Sequence, residues 1–264
     1  MFKKIAAIVL SVLLFATCFT ACGKEPATLK SVKKAGKLVI ATSPDFPPFE
    51  ELQADGTVTG IEIDIMKLIC KELGVKLEIK QMNFDSVLPG IQAGKYDVGV
   101  SGISVTPKRE KNVKFTVPYC LAAQAIVVLE GSDVTGKADL KGKKIAVQSG
   151  TTAESYCMEN GYTISAFAAN TDAEMALTAG KVDAWVIDDL SAAEMVAAYN
   201  SENPETKLVV LDEAMTTEPY AFAFNLKSGD LVDEINTILT KLINDGTVAE
   251  IFAKYNAPYT SPNK

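Results

Sequence analysis

Ala93-Gly94-Lys95-Tyr96-Asp97 recurs 86 residues further on as Ala179-Gly180-Lys181-Val182-Asp183. In each copy a stretch of helical spacing, Phe84 to Ala93 or Asp172 to Ala179, stops at a glycine. An apolar run then follows at once, Asp97–Val100 or Ala184–Ile187. A helix that ends on glycine and passes straight into a buried strand is the closing half of a βαβ unit. The opening halves echo each other as well. Gly36-Lys37-Leu38-Val39-Ile40-Ala41 and Gly142-Lys143-Lys144-Ile145-Ala146-Val147 each set a short apolar strand behind a glycine. Between these landmarks the first half carries a helical pattern from Glu62 to Leu73, stopped by Gly74, and an alternating strand Lys76–Lys80. The second half carries a helix Thr152–Asn160 and a strand Thr163–Phe167. The same elements in the same order predict two open α/β lobes, each built on a parallel sheet.

The strand-like segments Ala125–Leu129 and Leu208–Leu211 flank the second unit and are expected to carry the chain between lobes. Ala221–Asn225 and the amphipathic helices Leu231–Asn244 and Val248–Tyr255 are expected to return to the first lobe. Two crossings make a two-strand hinge with a cleft. Lobe 1 is then 36–122 plus 215–264, and lobe 2 is 123–214.

The amino terminus reads as an address. Met1-Phe2-Lys3-Lys4 is basic, and Ile5 to Phe19 carries no charge, which is shorter than the roughly 20 residues of a membrane span. A basic start, an apolar middle and a small-residue exit predict a signal peptide over 1–21. From Gly23 to Lys34 the chain is polar and is expected to be a tether, giving a 22–35 linker.

Composition removes several function classes. Without Lys3 and Lys4 the chain keeps 24 basic against 33 acidic residues, the wrong balance for a nucleic-acid partner. With no histidine, Ser-His-Asp and Cys-His nucleophilic sites and His-based zinc sites are excluded. Neither GxxxxGK[ST] nor GxGxxG occurs, so no nucleotide cofactor is implied, and no metal is expected. Beyond Cys18, in the leader, and Cys22, the cysteines Cys70, Cys120 and Cys157 are odd in number and scattered. Cys70 fits a core position, and a Cys120–Cys157 bridge is the one pairing left open.

In open α/β sheets ligands bind beyond the carboxyl ends of the strands. That rule selects Thr42, Ser43, Asp45, Phe46 and Phe49; Ser101, Gly102 and Ser104; Gln148 to Thr152; and Asp188 with Asp189. Arg109 is the only arginine among 26 basic residues, just past the Ser101–Ser104 segment. Its planar fork binds a carboxylate bidentately, which lysine cannot do; the alternative is a solvated residue in the turn that Thr106 caps and Pro107 starts. Gln148-Ser149-Gly150-Thr151-Thr152 joins a strand to a helix start, which is either an anion site or a plain N-cap. Asp188 can hold an ammonium group or cap the helix that follows it. Phe46 and Phe84 lie near the rim of the first lobe, where core packing competes with ligand stacking, and Trp185 reads as packing.

Phe19-Thr20-Ala21-Cys22 resembles the lipobox of bacterial lipoproteins, in which the Cys is acylated and becomes the first residue. Asp45-Phe-Pro-Pro-Phe49, Gly60-Ile-Glu-Ile-Asp64, Ser101-Gly-Ile-Ser-Val-Thr-Pro-Lys-Arg109 and Gln148-Ser-Gly-Thr-Thr152 resemble, in order, the family-3 extracellular solute-binding proteins of ABC importers. The resemblance implies the periplasmic-binding-protein-like fold, a free amino acid held in the cleft, no enzymatic activity, no cofactor, a monomer, a membrane permease as partner and contact with the bilayer through acylated Cys22. It implies that Arg109, with the N–H and hydroxyl groups of Ser104 and Thr152, binds the α-carboxylate, beside the Thr151 turn. Asp188 and a carbonyl of Ser101 or Gly102 take the α-ammonium, and Phe46 and Phe84 stack on the side chain. Ser43, Glu62 and Gln148 occupy positions that choose the side chain. Relatives that take basic amino acids often have Asp where Ser43 stands, so a neutral polar amino acid is expected, although Asp45 and Glu62 keep a basic one in play. An enzyme on the same scaffold, resembling prephenate or arogenate dehydratases with Glu62 or Asp188 as acid, is the alternative.

Overall fold

The computed structural model describes residues 25–262, so the expected leader and the expected acylation at Cys22 lie outside the described residues. The segment expected to be a tether is folded from its middle on. Thr28 and Ser31 form a capping box, each side chain accepting from the other's backbone N–H, and start α1 (Leu29–Ala35). Val32 is buried, and Leu29 N–H donates to the Asp230 carboxylate. Polarity hid this helix because only Val32, with Leu29 partly buried beside it, carries its contact.

From there the chain forms β1 (Lys37–Thr42), three short strands β2 (Asp45–Phe46), β3 (Glu50–Leu52) and β4 (Val58–Thr59), then α2 (Ile61–Leu73) and β5 (Lys76–Gln81). There follow α3 (Phe84–Gln92), β6 (Val98–Gly99), α4 (Pro107–Glu110) and β7 (Val113–Phe115). β8 (Cys120–Ala122) and β9 (Gln124–Leu129) lead to β10 (Lys144–Gln148), α5 (Thr152–Glu159), β11 (Thr163–Phe167), α6 (Asn170–Thr178), β12 (Ala184–Asp188) and α7 (Asp189–Glu202). The chain closes with β13 (Leu208–Val210), β14 (Glu218–Tyr220), β15 (Ala223–Asn225), α8 (Gly229–Asn244) and α9 (Thr247–Lys254).

Two five-stranded sheets result, ordered β5-β1-β6-β15-β7 and β11-β10-β12-β9-β13. In each, the central first strand runs parallel to both neighbours (β1 with β5 and β6, β10 with β11 and β12), and the fourth strand is antiparallel. The repeat read from the sequence is therefore a repeat of topology, although the sheets are mixed rather than wholly parallel. β15 joins the first sheet after the whole second sheet has been built, so the chain crosses between lobes twice.

The crossings are not the expected segments. Ala125–Leu129 and Leu208–Leu211 supply β9 and β13, paired with each other inside the second sheet, where Val127 also faces Trp185. Five of the six residues of β9 are buried, as suits a strand covered on both faces. The chain instead crosses through β8 and β14, an antiparallel pair with Cys120 opposite Tyr220 and Ala122 opposite Glu218.

Helices cover both faces of the first sheet. Ile61, Ile65, Met66 and Ile69 of α2 pack with Leu231, Ile235 and Leu239 of α8 and Phe252 of α9. Val87 and Ile91 of α3 close the other face over Ala41 and Ile103. Each such side chain contributes about 1.5–3 kcal/mol when fully buried. Cys70, Cys120 and Cys157 are buried free thiols, so the bridge left open by the sequence does not form. Among the described residues no helix is long and apolar enough to cross a membrane.

Candidate functional site

The carboxyl ends of β1, β6, β10 and β12 converge on one cavity between the two sheets. Ser43, Phe46, Phe84, Ser101, Gly102, Ser104, Arg109, Gln148, Thr151, Thr152 and Asp188 all line it, as do Asp45 and Asn170. Thr42, Phe49, Ser149, Gly150 and Asp189, also selected at the strand ends, do not line it, and neither does Glu62, the one residue given a ligand role that it leaves out. Glu62 is completely buried behind the cavity, where it accepts hydrogen bonds from Tyr119 OH (2.6 Å) and Gly102 N–H (2.9 Å). It sits on the first turn of α2, and that turn faces the core rather than the cleft.

Arg109 reaches the cavity from α4, the turn that Thr106 caps through its hydroxyl and Pro107 opens. Its Nη1 donates to Ser104 O (2.8 Å) and its Nη2 to Gly150 O (3.1 Å) on the other lobe. The guanidinium lies 5.6 Å from the centre of the Phe84 ring. Burial lowers its pKa, while Glu218 and Asp188 oppose that shift, and a guanidinium stays charged throughout. Two of its five N–H groups are thus engaged by these carbonyls, and the others are free to hold an anion. α5 begins at Thr152, with the Thr151 hydroxyl accepting from Glu154 N–H, so first-turn N–H groups add positive potential at the same end.

Asp188 closes the other end of the site. It ends β12 and accepts from Gln124 Nε2 (2.9 Å) and from Tyr220 OH. Burial, followed by the nearby Glu218 charge, raises its pKa to about 8. A cation placed against it would restore the ionised form. On the side of β1, Asp45 accepts from the Ser43 hydroxyl (2.7 Å) and, across the cleft, from Gln148 Nε2 (3.0 Å) and Asn170 N–H (2.7 Å). Phe46 stacks on Phe49 and rests over Gly102, whose φ of +52° and lack of a side chain both matter: a Cβ there would lie 2.5 Å from the Phe46 ring.

Three residues that sequence reasoning did not single out shape the site. Glu218 on β14 accepts from the hydroxyls of Ser104, Thr152 (2.6 Å) and Thr216 (2.9 Å), so the Ser104 and Thr152 hydroxyl protons are already committed. Tyr220, two residues on along the same strand, holds Asp188. Pro219 between them argues against a strand in the sequence, which hid the alternation. Asn170 escaped because the helix it opens was expected to begin two residues later. Among the described residues no group of three or more His, Cys, Asp or Glu side chains is placed to hold a metal ion.

The site is a closed polar cleft with a fixed cation on one lobe, a carboxyl on the other and two aromatic walls. Comparison with known proteins agrees with this architecture. The sequence signature of the bacterial extracellular solute-binding proteins, family 3, matches residues 38–258. The L-cystine-binding protein TcyJ of Escherichia coli strain K12 is 27% identical over 235 residues, 88% of this chain and 86% of its own. The ABC transporter arginine-binding protein 1 of the same strain is 30% identical over 224 residues, 82% of this chain and 89% of its own. The crystal structure of the ancestral amino acid-binding protein AncCDT-1, a precursor of cyclohexadienyl dehydratase, matches with a TM-score of 0.78 at 34% identity, over 87% of this chain and 99% of its own. In sequence and in fold, the chain belongs to the bacterial extracellular solute-binding proteins of family 3.

Proposed function

We propose that this chain is an extracytoplasmic binding protein that captures one free amino acid between its lobes and delivers it to the permease of an ABC importer. It works as a monomer, lipid-anchored to the outer face of the cytoplasmic membrane through acylated Cys22, with 36–122 and 215–264 moving as one lobe and 123–214 as the other. The observation that carries the reading is that Arg109 of the first lobe and Asp188 of the second line one cavity. A zwitterion taken out of water must have both charges paired, and these two groups pair them from opposite lobes. The ligand carboxylate takes the free guanidinium N–H groups of Arg109 with the backbone N–H groups of Ser104 and Thr152. Its ammonium takes Asp188 with a carbonyl of Ser101 or Gly102, and Phe46 and Phe84 flank its side chain.

The ligand is a neutral polar amino acid. Ser43, Gln148 and Asn170 offer neutral hydrogen-bonding groups, and the Asp45 carboxylate already accepts three hydrogen bonds. A thermal-shift screen against the twenty amino acids tests this, because a ligand that binds only the native form raises its apparent stability. A clear upward shift with serine-, threonine-, asparagine- or glutamine-like ligands supports the reading, a shift with arginine or lysine alone overturns the side-chain assignment, and no shift at all overturns the function.

A second reading, a cleft enzyme of the prephenate or arogenate dehydratase kind, draws on one feature: Asp188 holds a proton near neutral pH inside the cavity. Glu62, the other acid considered for that role, is shut off from the cleft. Incubation with prephenate distinguishes the two readings, since release of an aromatic product appears only under the second.

A further inference from the structure

Behind the cleft floor two glutamate carboxyls meet in a place that water does not reach. Glu50 comes from β3 and Glu62 from the first turn of α2, and both are 0% exposed. Both are held against one turn, Glu50 by Ser101 and Glu62 by Gly102, close enough that the Glu62 charge acts on Glu50. Glu50 Oε1 accepts from Ser101 Oγ (2.8 Å), while Glu50 Oε2 has no donor among the described residues. Glu62 accepts from Tyr119 OH and from Gly102 N–H, at 2.6 and 2.9 Å. The other ionisable groups facing the pair are Asp45 and the Cys120 thiol, and no lysine or arginine among the described residues compensates it. Two neighbouring carboxylates without a cation cannot both be ionised in such a site.

We propose that Glu50 and Glu62 are a positioning pair that shares one proton, resident on Glu50 Oε2 and donated to Glu62, and that this pair fixes the Ser101–Gly102 floor of the cleft. The donor count places the proton. Glu62 has two donors and a helix amino terminus to favour its charge, whereas Glu50 has one donor and a bare oxygen. Burial raises both carboxyls, and Glu50 further, because the Glu62 charge adds to it. The pair acts on the cleft through two links. Ser101 Oγ donates to Glu50 and accepts from Ser43 N–H (3.0 Å), tying the ends of β1 and β6 together. Gly102 N–H donates to Glu62, setting the glycine against which Phe46 rests. The proposal relies on the amino-acid-binding reading for its consequence in the cleft, but its proton does not.

The test compares Glu50→Gln with Glu62→Gln. Glutamine mimics a protonated glutamate, donating from Nε2 to Glu62, so E50Q is expected to fold and to bind its amino acid within about threefold of wild type. In E62Q one of the acceptor oxygens becomes a donor facing Gly102 N–H or Tyr119 OH, and affinity is expected to fall tenfold or more. Denaturant unfolding without added amino acid, between pH 6 and 8, reads the proton directly. The folded wild type holds one proton that the unfolded chain has lost, so its unfolding constant rises about tenfold per pH unit more steeply than that of E50Q. An E50Q chain that keeps the wild-type pH slope, or does not fold, overturns the proton assignment. Unchanged affinity in both variants, or loss in E50Q with retention in E62Q, overturns the positioning role. If no amino acid binds the wild type, the functional reading fails while the slope comparison still stands.

Discussion

Replacing Arg109 by lysine keeps the positive charge and removes the fork, so it isolates what the guanidinium geometry contributes. In the structure one arginine spans three partners: Ser104 O at 2.8 Å, Gly150 O of the opposite lobe at 3.1 Å, and the face of Phe84 at 5.6 Å. Its remaining N–H groups are those assigned to the ligand carboxylate. A lysine ammonium, one point on a flexible stem, cannot serve both carbonyls and two carboxylate oxygens. It loses one of the two bonds to the ligand and the bond that bridges the lobes. At about 1.5 kcal/mol for each charge-assisted hydrogen bond, the loss is about 3 kcal/mol, on the order of 100-fold in Kd. Isothermal titration calorimetry at pH 8 with the amino acid found by the screen measures it. An unchanged Tm of the free variant shows that the fold has survived. A Kd within threefold of wild type would refute the assignment of Arg109 as the carboxylate ligand.

Two further outcomes follow from the same geometry. Because burial holds Asp188 at about 8, the free cleft is protonated there at pH 6 and must release that proton to pair with an ammonium group. Affinity is therefore expected to improve towards tenfold per pH unit between pH 6 and 8 and then level off, and Asp188→Asn should remove that dependence; a Kd independent of pH in the wild type contradicts the pairing. Gly150 has a φ of +82°, and a Cβ there would lie 3.0 Å from Asp85 Cα on the facing lobe. Gly150→Ala thus strains its own turn and obstructs closure, so ligand should leave at least tenfold faster in stopped-flow measurements, and an unaltered off-rate would show that the lobes do not close through this contact.

The lobes and their order were legible because the evidence for them is local. A glycine after a helix and an apolar run after a glycine sit within a few residues of each other, as in Ala93–Asp97 and Ala179–Asp183. The cleft-facing strand ends were legible for the same reason, since a strand's carboxyl end is a position along the chain. What escaped depends on pairing between distant residues. β8 and β14 are three residues each, and their partnership of Cys120 with Tyr220 spans an entire lobe. The more apolar β9 looked like the better crossing, yet its apolarity is what places it inside a sheet. Glu62 reads as a cleft residue until the rotation of α2 is known, and that rotation is set by Ile61, Ile65 and Ile69 packing inward. Thr28-x-x-Ser31 is a capping signal in plain view, but with only Val32 buried beyond it the run reads as solvated chain.

The contacts across the cleft show why a ligand of both charges is the natural trigger for closure. Asp45 with Gln148 and Asn170, and Arg109 with Gly150, already join the lobes, each bond worth about 1 kcal/mol net. Shifting an open–closed equilibrium from 1:99 to 99:1 takes about 5.5 kcal/mol of differential binding. A zwitterion bonded to Arg109 on one lobe and Asp188 on the other supplies about 1.5–3 kcal/mol at each end, only when both ends are engaged together. A molecule with a carboxylate alone leaves the Asp188 end unpaired, and one with an ammonium alone leaves the guanidinium facing a dry wall. On the proposed assignment, charge geometry would select for the amino-acid backbone through closure itself. On the same assignment, the choice among side chains would fall to the weaker neutral contacts around Ser43, Gln148 and Asn170, acting on a cleft that the two charges have already shut.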